Sequence, residues 1–260
     1  MLPELRRQEI IDYLKMHSAA NIDMLARRFG VSAATIRRDL NVLKAHGEIR
    51  RTYGGALANV ASTAFEPAYS EKSQRCEAEK AAIAALAAQR VEDGDVVVLD
   101  AGSTSFALAR ALRSKRGLKV VTTDLKIALE FSSTSASEVI IVGGVVRPRL
   151  FSCVGVIAER ILEGLHANYA FVGADGIDVD AGVTNASLSE VRVKQLIIAA
   201  ARTPILLADN SKFDKVSLAR VAALSAFHEV ISDSGLSSAA RQRYEHAGLT
   251  LTLASVRQSS

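Results

Sequence analysis

The sequence predicts an α/β protein in two parts: a small N-terminal winged helix-turn-helix and a larger α/β domain built on a mainly parallel sheet. Three observations carry this. Helical periodicity, caps and glycine stops are concentrated in residues 1–58. Strand-sized apolar runs then recur between helical stretches. The charge is also divided unevenly between the two parts. Residues 1–58 hold 10 of the 32 basic and 6 of the 28 acidic residues, a surplus of four, which leaves 22 of each for the remainder. The whole formal charge of +4 therefore sits in the first segment, as suits a phosphate-binding head on a neutral body.

The bulk numbers exclude several classes. At roughly 150 residues per domain, 260 residues suit two domains, and 49% hydrophobic with 23% charged residues is ordinary globular composition. Apolar runs such as Val96 to Leu99 and Val139 to Val142 fall far short of the roughly 20 residues that span a bilayer, so no membrane partner is expected. Arg6, Arg7, Glu9 and Asp12 interrupt any secretory apolar core, and the expected location is the cytoplasm. Cys76 and Cys153 lack metal-ligand spacing, and no cofactor is expected.

In the first segment, Ile10, Ile11 and Leu14 mark a helix over Arg7 to Lys15. A second runs from about Ile22 to Phe29 and closes at Gly30. Ser32 then stands where an N-cap belongs, and a third helix continues from Ala33 to His46, ending at Gly47. Ile36, Leu40 and Leu43 form its buried stripe, which leaves Thr35, Arg37, Arg38 and Asn41 outside. Two helices joined by a tight turn, the second small and basic at its start, form a helix-turn-helix. Ser32 and Ala33 open the reading helix, Thr35 and Arg37 reach toward base edges, and Arg38 takes a phosphate. Glu48 to Tyr53 reads as a wing strand carrying Arg50, Arg51 and Tyr53, and Gly54-Gly55 turns it back. The expected partner is double-stranded operator DNA.

Residues 59–75 read as a linker, 76–255 as the larger domain and 256–260 as a polar tail. Strands are expected at Val96–Asp100, Lys119–Thr123, Glu138–Val142, Tyr169–Gly173, Pro204–Asp209 and Glu229–Ser232. Ligands gather where such strands end. Asp100, Gly102, Ser103 and Thr104 follow the first strand and open a helix, as an anion site requires. Thr123 and Asp124 end the second, Gly143, Gly144 and Arg147 follow the third, and Asp175 follows the fourth. Thr184 precedes Ser187-Leu188-Ser189-Glu190, a capping box that accounts for Glu190 as readily as a ligand role does. Lys212 follows the fifth strand, where it can neutralise a phosphate.

Val31-Ser32-Ala33-Ala34-Thr35-Ile36-Arg37-Arg38-Asp39-Leu40 with Arg50-Arg51-Thr52-Tyr53-Gly54-Gly55-Ala56 closely resembles the signature of the DeoR family of sugar-metabolism regulators. That family usually has histidine where Tyr53 stands. The resemblance continues from about Glu77 to Phe213. It implies a sensing domain related in fold to ribose-5-phosphate isomerase, and a phosphorylated sugar or related metabolite as effector. It places Asp100, Gly102, Ser103 and Thr104 on the phosphate side, with Asp175, Thr184, Glu190 and Lys212 on the sugar side. Asparagine is common in the family where Asp124 stands; a carboxylate there repels a phosphate or favours a hydroxyl. The expectation is a repressor acting as a homodimer or homotetramer, since one helix-turn-helix rarely supplies enough contact for specific binding. The alternative is a sugar-phosphate isomerase-like enzyme fused to a DNA-binding head, with Asp175 and Glu190 as acid and base. The isomerases carry a lysine and a glycine-rich loop between those acids, whereas Val179 to Asn185 here is short and has no lysine. Binding without turnover is expected.

Overall fold

The computed structural model describes residues 2–17, 19–46, 48–52, 54–58, 63, 66–134 and 137–256. The chain divides into two compact units, Met1–Pro67 and Ala68–Ser260.

The first unit runs α1 (Pro3–His17), β1 (Ala19–Asn21), α2 (Ile22–Phe29), α3 (Ala33–Ala45), β2 (Ile49–Thr52) and β3 (Gly55–Ala58). Local chemistry sets the turn. The Asn21 side chain accepts from Met24 N at 2.7 Å to cap α2, Gly30 closes it at φ +63°, and Ser32 Oγ accepts from Thr35 N at 3.2 Å to start α3. Ile10, Leu14, Leu25, Ile36, Leu40, Leu43 and Ile49 close the core. The strands form an antiparallel sheet in the order β1-β3-β2. The two wing glycines have different reasons. Gly54 takes φ +97°, whereas a Cβ on Gly55 would meet Ala20 O at 2.3 Å, because β3 crosses β1 at backbone distance. Gly47 and Tyr53, and the Arg50 side chain, lie outside the described residues, as do 257–260 of the expected tail.

The second unit opens with α4 (Tyr69–Gln74) and α5 (Glu77–Ala88). Its alternating part comprises β4 (Val96–Leu99), α6 (Ser103–Ala111), β5 (Lys119–Thr122), α7 (Leu125–Thr134), β6 (Glu138–Ile141), the hairpin β7 (Val145–Val146) and β8 (Cys153–Val154), and α8 (Val156–Leu162). Then come β9 (Ala167–Gly173), β10 (Gly176–Asp178), β11 (Gly182–Asn185), α9 (Leu188–Ala199), β12 (Ala201–Leu207), β13 (Ala219–Ala222), β14 (Glu229–Asp233), α10 (Ser238–His246) and β15 (Leu251–Ala254). All six expected strands are present in one seven-stranded sheet ordered β15-β14-β12-β9-β4-β5-β6, parallel throughout. The seventh, β15, was not expected; it is a four-residue edge strand whose pattern is too short to stand out.

Alternation along the strands splits the core into two layers. Val98, Val121, Val172, Leu206 and Val230 face the side of α8, α9 and α10. Val97, Leu99, Val120, Phe171, Ile205 and Ile231 face α5, α6 and α7. Chain order reverses between β4 and β9, the kind of switch point outside which ligands bind in open α/β sheets. Residues 68–75, read above as the end of a linker, are built into this unit. Tyr69 is buried and meets the Phe106 and Phe151 rings edge-on at 6.4 and 5.8 Å. A six-residue helix carries too little periodicity for the sequence alone to reveal it. Among the described residues, no helix is long and apolar enough to cross a membrane.

Candidate functional site

In the first unit the candidate face is α3. Ala34, Arg37, Arg38, Asn41 and Lys44 are exposed, while Ile36, Asp39, Leu40 and Leu43 are buried. Ser32 is exposed at the cap and its Oγ lies 2.9 Å from Thr35 Oγ1, so Thr35 is partly committed to the turn. Arg51 Nη1 donates to Asn41 Oδ1 at 2.6 Å and ties the wing strand to α3. The sequence reading missed the anchor beneath this face: the Asp39 carboxylate, 3% exposed, accepts from Arg6 Nε at 2.7 Å and Arg7 Nε at 3.0 Å. The signal was available, since position 39 lies on the same helical stripe as Ile36 and Leu43, and an acid there needs a cation.

In the second unit the strand ends at the switch point carry a charge cluster. The Asp100 carboxylate follows β4, accepts from Gly173 N at 2.9 Å and pairs with Lys194 Nζ, which also donates to Gly173 O at 3.0 Å. Burial pushes the Asp100 carboxyl up. Burial also works against the Lys194 charge, but Asp100 and Glu190 outweigh it and hold that ammonium above its ordinary value. Asp175 Oδ1 pairs with Lys72 Nζ at 3.0 Å and Oδ2 accepts from Ala186 N at 3.0 Å. Burial opposes its ionisation, yet Lys72, the Ala186 N–H, Lys212 and Lys194 bring its pKa to about 2.

Glu190 is not held by the expected capping box. Ser187 makes no side-chain cap and its Oγ meets Ser189 Oγ at 2.9 Å. Glu190 instead accepts from Asn185 Nδ2 and Ser152 Oγ, both at 2.9 Å, and pairs with Arg147 Nη1 at 2.5 Å. Burial raises its pKa, but Lys194 and Arg147 more than offset this and hold it below the usual range.

At the start of α6, Gly102 takes φ +134°, and Ser103 and Thr104 are partly exposed. The Ser105 hydroxyl in the same first turn is buried and lacks a partner among the described residues. The last turn of α4 is docked here. Lys72 O accepts from Ser103 Oγ at 3.3 Å, and Lys80 Nζ donates to Lys72 O and Arg75 O. Burial lowers the Lys80 pKa, with Asp209 acting the other way. The Lys212 charge is felt at Lys80, Asp175 and Cys76.

The structure therefore brings Asp100, Ser103, Arg147, Asp175, Glu190 and Lys212 into one electrostatic cluster and turns other expected residues to internal work. Asp124 is fully buried, capping α7 through Lys126 N at 2.7 Å and Ile127 N at 3.2 Å while holding Gly102 N at 3.0 Å. Thr184 Oγ1 donates to Gly176 O and accepts from Ser217 N at 2.8 Å. Thr123 O accepts from Cys153 N at 2.8 Å. Gly144 lies so near β8 that a Cβ would meet Val154 O at 2.5 Å, and Gly143 faces open space. The reading missed Lys72, Lys80, Lys194 and Asn185. Lys80 lies three residues before buried Ile83 and Lys194 one turn after Glu190, so helical spacing was a signal for both. Lys72 had no local signal.

A groove-sized helix with exposed arginines, together with a charge cluster at a sheet switch point, defines a DNA-binding regulator that carries its own sensing domain. Comparison with known proteins makes this specific. The profile of the DeoR C-terminal sensor domain matches residues 75–234, and that of the DeoR-like helix-turn-helix domain matches residues 6–61. The chain belongs to the DeoR family of transcriptional regulators. It is 36% identical over 249 residues to a putative sgc region transcriptional regulator of Escherichia coli, covering 95% of each chain. It is 33% identical over 251 residues to the HTH-type transcriptional regulator GlpR of Haloferax volcanii, covering 96% of this chain and 98% of that one. Among solved structures, ribose 5-phosphate isomerase A from Neisseria gonorrhoeae is similar over 55% of each chain, at 17% identity and a TM-score of 0.40.

Proposed function

We propose that this regulator represses a carbohydrate-metabolism operon and leaves its operator when a phosphorylated sugar or related metabolite occupies the strand-end cleft. The charge arrangement at the start of α6 carries the reading. Lys72, Lys194 and Arg147 are each paired with a carboxylate, and Lys80 and Lys212 add positive charge beside the N–H groups and hydroxyls of Ser103, Thr104 and Ser105. An anionic group placed there meets donors and a favourable field. Asp175 and Glu190, ionised and held by several partners, suit the hydroxyls of the attached sugar.

The docked end of α4 supplies a route for the signal. Ser103 and Lys80 are donors an anion would use, and both are engaged by the carbonyl of Lys72 in α4, with Arg75 O just after it also accepting from Lys80. Ligand and α4 compete for them, and α4 leads back in sequence to the head. A ligand shifts the population off DNA only by its difference in affinity between the two arrangements. Paired heads of a homodimer or homotetramer address the half-sites.

The partners of the carboxylates favour binding without turnover. Asp175 is held by Lys72 and the Ala186 N–H, and Glu190 by Arg147, Asn185 and Ser152, while Val179 to Asn185 between them holds no lysine; acid–base isomerisation needs both groups available to one sugar. The test is fluorescence anisotropy of the purified protein on its own upstream DNA, with parallel thermal-shift scans against phosphorylated sugars and sugar alcohols. One compound class is expected both to raise the melting temperature and to release the DNA. Absence of DNA binding overturns the regulator reading, stabilisation without release overturns the coupling, and steady isomerisation of a pentose phosphate overturns binding without turnover.

A further inference from the structure

We infer that β6, α7, the β7–β8 hairpin and α8 form the surface on which a second copy of this chain docks, with the two β6 edges pairing across a two-fold axis. The described chain exposes fifteen large hydrophobic residues, and ten of them fall between 125 and 161. Leu125 and Leu129 stand on α7, Ile140 and Ile141 on β6, Val145 and Val146 on β7, and Val156, Ile157 and Ile161 on α8, with Phe151 before β8.

The fold assembles these segments around one sheet edge. β6 ends the seven-stranded sheet and pairs only with β5 among the described residues. α7 belongs to one core layer and α8 to the other, so they flank that edge on opposite faces. Beyond its shortness and Glu138 at its start, the edge is unprotected, since Val139 to Ile141 contain no proline, lysine or bulge. Glu138 N and Val142 N donate to Leu118 O and Thr122 O of the β5 side. Strand alternation therefore points the amides of Val139 and Ile141 outward.

Area and charge favour a second copy as occupant. The ten residues average about half exposure; summed around the edge, their surface is on the order of 800 Å², comparable to one side of a standard interface. The same helices carry Lys126, Glu130, Glu159 and Arg160, two of each sign, so self-pairing sets up no net repulsion. The hairpin carrying Val145 and Val146 leads directly to Arg147, the partner of Glu190, which places the interface beside the proposed effector cleft.

The test uses the full chain in light scattering coupled to size exclusion. Wild type is expected at twice the chain mass or more. Leu129→Glu and Ile157→Glu, at positions 69% and 65% exposed, are each expected to lower the mass to that of a smaller assembly with unchanged circular dichroism, while Leu218→Glu, a control elsewhere on the surface, keeps the wild-type mass. A monomeric wild type overturns the inference, as does wild-type mass in both interface variants or dissociation by Leu218→Glu alone. Should a variant fail to fold, hydrogen exchange of wild type decides. Protected Val139 and Ile141 amides support the pairing, and rapid exchange of both overturns it. Operator binding is measured separately, so failure here leaves the regulator reading standing.

Discussion

Asp39→Ala tests whether the reading helix is held by the buried ion cluster beneath it. The substitution takes a buried carboxylate from Arg6, whose side chain is 8% exposed, and releases Arg7, which is 29% exposed and can rehydrate. Removing one partner of a buried pair costs about 3–5 kcal/mol, and the partly exposed second arginine places this case near 3 kcal/mol. At about 0.05–0.15 kcal/mol per residue, a 67-residue unit has only roughly 3–10 kcal/mol to lose. Hydrogen exchange on the full chain separates the head from the body. A loss of about 3 kcal/mol speeds exchange of the Ile36, Leu40 and Leu43 amides roughly a hundredfold, while β4 amides stay unchanged. Arg6→Met with Asp39→Leu, which removes both buried charges, should recover most of the protection. Exchange accelerated less than tenfold by Asp39→Ala, or no recovery in the pair, would refute the reasoning.

Arg37→Ala is expected to weaken operator binding by about 1–3 kcal/mol if it reads a base, and Arg38→Ala to reduce the salt dependence of binding as a lost phosphate contact does; anisotropy across a salt series checks both. Ser103→Ala and Lys212→Ala should bind operator normally yet lose release by the effector, and a variant that still responds removes its residue from the site. Asp175 predicts an acid limb in stability. Its folded pKa of about 2 lies below its ordinary 3.8, so its contribution is complete above about pH 4 and is lost as pH falls through 2, amounting to about 2 kcal/mol. Urea midpoints against pH should show a shallower fall in Asp175→Asn; an identical limb would exclude Asp175 as its source.

Features that depend on neighbours in the chain were legible beforehand. α2 was bounded correctly from periodicity and Gly30, α3 from the Ser32 cap, and the core strands from their apolar runs. The candidate site was legible only as a set of strand ends. Asp124 and Glu190 show why: each is a carboxylate beside a helix start, and either could cap or face a ligand. Asp124 caps, whereas Glu190 turns away to Arg147, Asn185 and Ser152. That choice depends on partners up to 43 residues distant, as with Arg147 and Glu190, and no local pattern encodes it.

By itself the amino-acid order determined the two-part architecture, α3 with its cap and the loops at the strand ends, because caps, glycine turns and helical or strand periods act over a few residues. Only the tertiary structure decided the strand order, hence the switch point between β4 and β9, and the use of Lys72 against Asp175, 103 residues away. Those outcomes follow from burying two faces of one sheet and neutralising charges inside it. Both are energies of the whole assembled chain, to which sequence neighbours contribute no distinctive sign.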